Sequence, residues 1–414
     1  MKKINRGGMA AVAILVMLFA GLVNAWSVLS RPIGAEFAQY NAGQMSLTYT
    51  ITMFCFCVGG MSGGWLQKRC SVRFALCLSA AMYAAGFLLT ASMQGRAMLY
   101  LGFGVLGGLA SGLSYNVVLT SVSAWYPEKQ GLISGILLMG FGIGSFLVGK
   151  IYAAVTPVDG SGAWRGTFRI FALILLVMLL LAALLIRRPK EEEIREAVQK
   201  AGKPMVKHYY EDVPTGEMVR RTSFWLFLLW TITMTGVGMT VISQASSIVL
   251  ETAPGLAQGT VATIVGIQAI FNGLGRVLYG ALFDRIGRRR CMLTDVLMYA
   301  AGMGLLLAAV KTHQMGLLIP GFVLGGLANG GVPTTIAGFA HLFYGAKYYP
   351  TNFSIVNTNL LVASFAGTLA GVIYDASGSY AATILLALGY LAASLILTVL
   401  IRDPAGAQGK NNSN

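Results

Sequence analysis

The 414-residue sequence predicts an all-α membrane protein of twelve transmembrane helices in two pseudo-symmetric six-helix bundles. Three observations carry that prediction. Hydrophobic residues make up 56% of the chain and charged residues 11%, against about 25% charged in an average soluble domain. Apolar stretches of spanning length recur about twelve times, joined mostly by short connections. Short passages of the first half return in the second half in the same order.

The first stretch, near residues 8 to 30, follows Lys2, Lys3 and Arg6. At about 22 residues it exceeds the apolar region of a secretory leader and reads as a retained helix. The next five are expected near 46 to 66, 73 to 93, 97 to 121, 131 to 153 and 166 to 187, closing an N-terminal bundle over 1–187. A charged segment at 188–222, punctuated by Pro189, Pro204 and Pro214, reads as a cytoplasmic linker whose EEEIREAVQK core at 191–200 favours a short surface helix. Six further stretches near 223 to 246, 260 to 283, 291 to 310, 314 to 340, 352 to 374 and 380 to 401 form a C-terminal bundle over 223–402, with a tail at 403–414.

The net charge of +15 does not point to nucleic acid, because its distribution follows the membrane. With a cytoplasmic N-terminus, 23 Lys and Arg residues fall inside, 6 outside and one, Arg276, within a span, the positive-inside bias of inner-membrane proteins. The inner set runs from Lys2 and Lys3 to Lys347, Arg402 and Lys410, so both termini are expected in the cytoplasm. Cys55, Cys57, Cys70, Cys77 and Cys291 form no external framework of pairs, and no metal site is expected.

Internal repetition supports duplication of a six-helix unit. LGGLASG at 106–112 returns as LGGLANG at 324–330, GKIYAA at 149–154 as GVIYDA at 371–376, and GWLQKRCSVR at 64–73 as GALFDRIGRR at 280–289. The offsets of 218, 222 and 216 are nearly constant. Six plus six helices with this turn resemble the major facilitator superfamily, whose signature reads G-x-L-x-D-R-x-G-R. Gly280, Leu282, Asp284, Arg285, Gly287 and Arg288 match it fully. Gly280 permits close helix approach, Asp284 is suited to cap or pair across helix ends, and the arginines suit an anionic inner leaflet. The first copy carries Lys68 in place of the aspartate and Ser71 in place of the second glycine.

Glycines four residues apart, at 104, 108 and 112, 60 and 64, 321 and 325, and 367 and 371, make smooth stripes. Such stripes let helix backbones approach closely in lipid; they also allow sliding during alternating access. No nucleotide-binding glycine loop and no cofactor motif is present in the sequence.

Arg276 lies inside FNGLGRVLYGALF. A charge at that depth costs roughly 2.5 to 3.5 kcal/mol on permissive insertion scales, so Arg276 is expected either to face a cavity as a functional-site candidate or to satisfy backbone carbonyls or pair with a neighbouring helix. Gln268, Asn272 and Arg276 are four residues apart and form one polar stripe on a helix face, expected to line a central cavity. The guanidinium fork suits a carboxylate better than a lysine does. Asp295, Glu251 and Asp375 all read as lying near helix ends rather than as partners for Arg276. Further polar groups at mid-helix depth are Asn24 and Trp26, Tyr115 and Asn116, and Asn357 and Asn359, each asparagine being equally suited to interhelical packing.

The passages GLVNAWSVLSRPI, SYNVVLTSVSAWYPEKQGLISGI, GEMVRRTSFWLFLLW, FNGLGRVLYGALFDRIGR and FYGAKYYPTNFSIV resemble the oxalate/formate antiporter family, allied to the monocarboxylate transporters. The resemblance implies that Arg276 binds a substrate carboxylate and that Tyr115 helps line the cavity. It departs at Leu360, where oxalate-type members carry a lysine, at Asn24, where tyrosine is common, and near Val28, where animal monocarboxylate carriers use a lysine. The expected function is secondary transport of a small organic anion, a monocarboxylate before a dianion, by a monomer in a bacterial inner membrane. An inside-negative potential opposes monoanion uptake by roughly 2.3 kcal/mol per 100 mV, so uptake requires a coupled proton or an exchanged anion. A major facilitator exporter of drugs or metabolites and a non-transporting anion receptor remain the alternatives; an enzyme is not expected.

Overall fold

The computed structural model describes residues 6–40, 42–190, 192–194, 211–256 and 258–402. Lys2, Lys3, Lys410, the tail at 403–414 and most of the expected surface helix at 191–200 lie outside the described residues. Helix α1 runs Arg6–Ala20, passes through a 3₁₀ turn at Gly21–Ala25 and continues as Trp26–Glu36. Helices α2 (Ala42–Arg69), α3 (Val72–Ala91), α4 (Arg96–Ser123), α5 (Gln130–Val155) and α6 (Trp164–Leu185) follow. After the linker come α7 (Thr222–Thr252), α8 and α9 within Gln258–Thr312, α10 (Leu318–Tyr344), α11 (Tyr349–Tyr374) and α12 (Tyr380–Leu400).

Among the described residues, ten segments are long and apolar enough to cross a membrane; the longest, Thr263–Thr312, is α8 and α9 together, and α2 completes the twelve. The chain is therefore a multi-pass membrane protein. The α8–α9 boundary is one residue, Gly287, whose φ of 76° and ψ of 170° turn the chain without otherwise interrupting the helical pattern. A side chain is strained at that φ, which explains why glycine stands there. The first copy solves the same turn differently: Ser71, at φ −78°, caps α3 by accepting from the Phe74 N–H.

The described chain forms two compact units. The first comprises Met1–Glu128, Gly140–Val206 and Tyr349–Ile355, and the second comprises Lys129–Met139, Lys207–Tyr348 and Val356–Asn414. The first half of α5 thus belongs to the second unit and the first turns of α11 to the first.

In the first unit, the glycine stripe of α4 lies against α2: a Cβ on Gly112 would stand 1.8 Å from the Phe56 carbonyl oxygen, so only glycine permits this approach. Phe87, Phe103, Phe168 and Trp164 fill the space among α3, α4 and α6. Arg165 of α6 meets Glu36 at 2.6 Å, and Trp164 donates to the same carboxylate at 2.7 Å, fixing the end of α1.

In the second unit, α9 and α10 mesh through Gly302 and Gly325, and Phe227, Trp230, Phe339 and Phe343 stack between α7 and α10. Glu251 accepts from the Tyr380 N–H at 2.8 Å and from the Ser379 hydroxyl, capping the start of α12. It thus serves as a helix-end anion, where the helix dipole favours a negative charge. Asp295 departs from the helix-end expectation: it lies about two turns beyond Gly287 and is 0% exposed.

Candidate functional site

The polar stripe of α8 is built by the close approach of two glycine faces. On one side, a Cβ on Gly326 of α10 would meet the Gln268 carbonyl oxygen at 2.7 Å, and one on Gly330 the Asn272 carbonyl oxygen at 2.1 Å. On the other, a Cβ on Gly135 of α5 would meet the Arg276 carbonyl oxygen at 2.3 Å, and one on Gly131 that of Gly280 at 2.5 Å. The backbone of α8 is thereby clamped over the turns that carry Gln268, Asn272 and Arg276. The stripe inherits a fixed position.

Within it, the structure joins Asn272 and Arg276: Arg276 Nε donates to Asn272 Oδ1 at 3.3 Å. Arg276 Nη1 donates to the main-chain carbonyl of Leu138 in α5. An amide oxygen and a main-chain carbonyl are thus among the groups that orient the half-buried guanidinium. Gln268 is 4% exposed and its Nε2 has no hydrogen-bond partner among the described residues, an uncommon state for a buried donor.

The signature turn stands two turns further along. Asp284 accepts from the Gly131 N–H at 3.0 Å and from the Leu132 N–H at 2.9 Å, capping the N-terminus of α5 with a carboxylate. Gly280 is the contact that allows this, since its missing side chain leaves room for Gly131. Arg285 is exposed. Arg288, expected at the lipid surface, is buried instead: its Nη2 donates to the Ile401 carbonyl at 3.1 Å and its guanidinium lies over Phe343. The unsatisfied carbonyls at the end of α12 explain that inward course.

The first-unit candidates sit in packed surroundings. Tyr115 is buried in an aromatic cluster with Phe56, Phe141 and Phe353. Trp26 packs on Phe103 and donates to the Met45 carbonyl at 3.0 Å. Asn24, in the 3₁₀ turn of α1, accepts from the Tyr49 hydroxyl at 3.3 Å. Asn116 donates to the Pro350 carbonyl at 3.0 Å and accepts from Gln67, so it links three helices. Asn357 lies in a break of α11, between Tyr349–Val356 and Asn359–Ala363, where its carbonyl accepts from the Leu360 N–H. Asn359 is buried and donates to Thr231 and Thr235 of α7, an interhelical tie.

Leu138, Gly131, Gly135 and Gly330 position the arginine and were not among the expected residues. Their signal was present as further glycine pairs four apart, Gly131 with Gly135 and Gly326 with Gly330. All five cysteines are free thiols, and no group of three metal-ligating side chains occurs among the described residues.

Comparison with known proteins agrees with this architecture. The family model for the Major Facilitator Superfamily matches residues 8–253 and 231–414. The chain is 25% identical over 289 residues to the oxalate:formate antiporter of Oxalobacter formigenes, a match covering 70% of this chain and 66% of that protein, just short of two thirds of its length. It is 28% identical over 131 residues to monocarboxylate transporter 12-B of Danio rerio, covering 32% of this chain and 26% of that protein. The solved structure of the proton:xylose symporter XylE superposes with a TM-score of 0.73 at 15% identity over 96% of both chains, a likeness of fold. Matched by the family model in both halves, and sharing the fold of its solved members, this chain belongs to the Major Facilitator Superfamily and is a membrane transporter of small solutes.

Proposed function

We propose that this protein is a secondary transporter of small organic anions, monocarboxylates in preference to dianions, in a bacterial inner membrane with both termini cytoplasmic. Arg276 takes the substrate carboxylate while the protein alternates access between the two sides. The observation that carries this reading is a guanidinium in mid-helix, braced by neutral acceptors on Asn272 and Leu138. The planar fork of a guanidinium matches a carboxylate bidentately. The unpartnered amide nitrogen of Gln268 on the same stripe adds a donor, again suited to an acceptor-rich ligand.

The similar proteins, an oxalate:formate antiporter and a monocarboxylate transporter, support a carboxylate substrate. Leu360 distinguishes this chain within that range. A single cationic side chain neutralises one carboxylate, and a second carboxylate would enter a low-dielectric site without compensation. Asp284 and Gly280 serve the conformational change by holding and releasing the start of α5, with Gly287 turning the chain behind them.

The test is uptake into proteoliposomes by the purified protein, with formate, lactate, pyruvate and oxalate compared at fixed pH. Uptake of the three monoanions above that of oxalate is expected. Preference for oxalate, or transport of cations and neutral solutes alone, would contradict the reading.

A further inference from the structure

Asp295 is the one acidic side chain among the described residues that is fully buried in a spanning helix, and neither of its carboxylate oxygens has a hydrogen-bond partner there. Its neighbours come from α8, α9 and α10. From α8, Tyr279 lies against the same glycine, Gly331, as Asp295 does; on α9, Cys291 and Tyr299 stand one turn to either side. From α10, the facing residue is Gly331, where a Cβ would stand 2.8 Å from Asp295 Oδ2 and 2.7 Å from the Tyr279 ring. The Tyr299 hydroxyl, also fully buried, is without a partner as well. Of the basic residues at the start of α9, Arg288 is engaged with Ile401 and Phe343, and Arg289 and Arg290 are exposed.

A carboxylate shut in without donors or a cation is an uncompensated charge, and one bound proton removes that charge entirely. Ionisable groups inside membrane spans are rare and mark ion pathways and proton relays. We propose that Asp295 is the site that carries a proton together with the substrate, making transport a proton symport. This rests on the anion reading above and deepens it by naming the coupled ion and its carrier.

The charges balance. A proton from the entry side joins a carboxylate oxygen of Asp295 while the monoanion occupies Arg276, so one anion and one proton cross with no net charge. On the exit side the O–H bond breaks, the electron pair stays on the carboxylate, and the proton leaves to solvent. An electroneutral cycle also removes the opposition of an inside-negative potential to uptake.

The experiment uses the full-length protein in proteoliposomes with radiolabelled lactate or pyruvate, and a pH-sensitive dye trapped inside. With the interior alkaline, wild type should accumulate substrate by about tenfold for each unit of pH gradient, which is the limit for one-to-one coupling, and the dye should report proton entry. Asp295→Asn should lose accumulation and proton entry while still exchanging labelled for unlabelled substrate at the wild-type rate. Asp295→Glu, which keeps a titratable group, should retain accumulation, and it decides the matter if the asparagine variant fails to reach the membrane. Wild-type transport without proton entry, full accumulation by Asp295→Asn, or loss of exchange and accumulation together in both variants would each overturn the assignment. Failure of the underlying reading looks different: wild type would then exchange no carboxylate at all, and the proton assignment would fall with it.

Discussion

Arg276 and Leu138 are tied by a hydrogen bond from the guanidinium Nη1 to the main-chain carbonyl, so the cation of α8 also holds the α5 segment that packs within its own unit. One turn away from that tie, Gly135 abuts the Arg276 carbonyl, and further on Asp284 caps Gly131 and Leu132. The seam is therefore pinned at both ends, by an arginine and by an aspartate. On the proposed reading, an incoming carboxylate and the Leu138 carbonyl compete for the same nitrogen, which links occupancy of the site to release of the seam.

Replacement of Asp284 should weaken the aspartate end of the seam. Asp284→Ala removes an acceptor from two backbone N–H groups and is expected to lower stability by about 0.5 to 2 kcal/mol, the range for a lost helix cap. Asp284→Asn keeps one oxygen acceptor and should lose less. Thermal unfolding in detergent measures both, and equal losses would mean that the cap contributes through charge alone.

Glycine substitutions along α5 and α8 should differ sharply by position. Gly135→Ala drives a methyl group to 2.3 Å from the Arg276 carbonyl, backbone against backbone, and overpacking of this kind costs about 1 to 3 kcal/mol. Gly266→Ala meets nothing within 4 Å and should leave stability equal or higher, because alanine restricts the unfolded chain. Uptake and melting temperature of the two variants provide the check; similar behaviour would show that the seam is not close-packed.

Much of this site was legible because it is local. The four-residue spacing of Gln268, Asn272 and Arg276 fixes one helix face without any tertiary information, and the glycine of the signature turn announced the break that Gly287 makes. What the sequence could not supply is which distant atoms meet that face. The Leu138 carbonyl belongs to a helix far back in the chain and carries no side-chain signature at all. Asp295 read as a helix-end residue because hydropathy locates the ends of a span but not the inward face of its first turns. Tyr115 was singled out by its mid-helix depth and by resemblance, and its packing with Phe56, Phe141 and Phe353 depends on three separate helices. Arg288 was read as a surface cation, since nothing local reveals that the last carbonyls of α12 need a donor.

A cation placed at residue 360 should find a use only with dianions. Leu360 is partly buried and directly follows Asn359, which is anchored to α7. Leu360→Lys is expected to raise the affinity for oxalate relative to lactate, because a second buried charge is compensated only by a second carboxylate. Competition of each anion against labelled substrate gives the ratio. Equal changes for both would show that this position does not face the substrate.

The central claim is that Arg276 binds the substrate carboxylate, and ligand-induced stabilisation of purified wild type and Arg276→Gln tests it most directly. A ligand that binds only the folded protein raises stability by about 2.7 kcal/mol at one hundred times its dissociation constant. The account predicts that lactate, pyruvate or formate raises the melting temperature of wild type, and that Arg276→Gln, recovered from the membrane in normal yield, shows no such rise and no uptake. A variant stabilised by the same anions to the same extent, or transporting them at the wild-type rate, would contradict it.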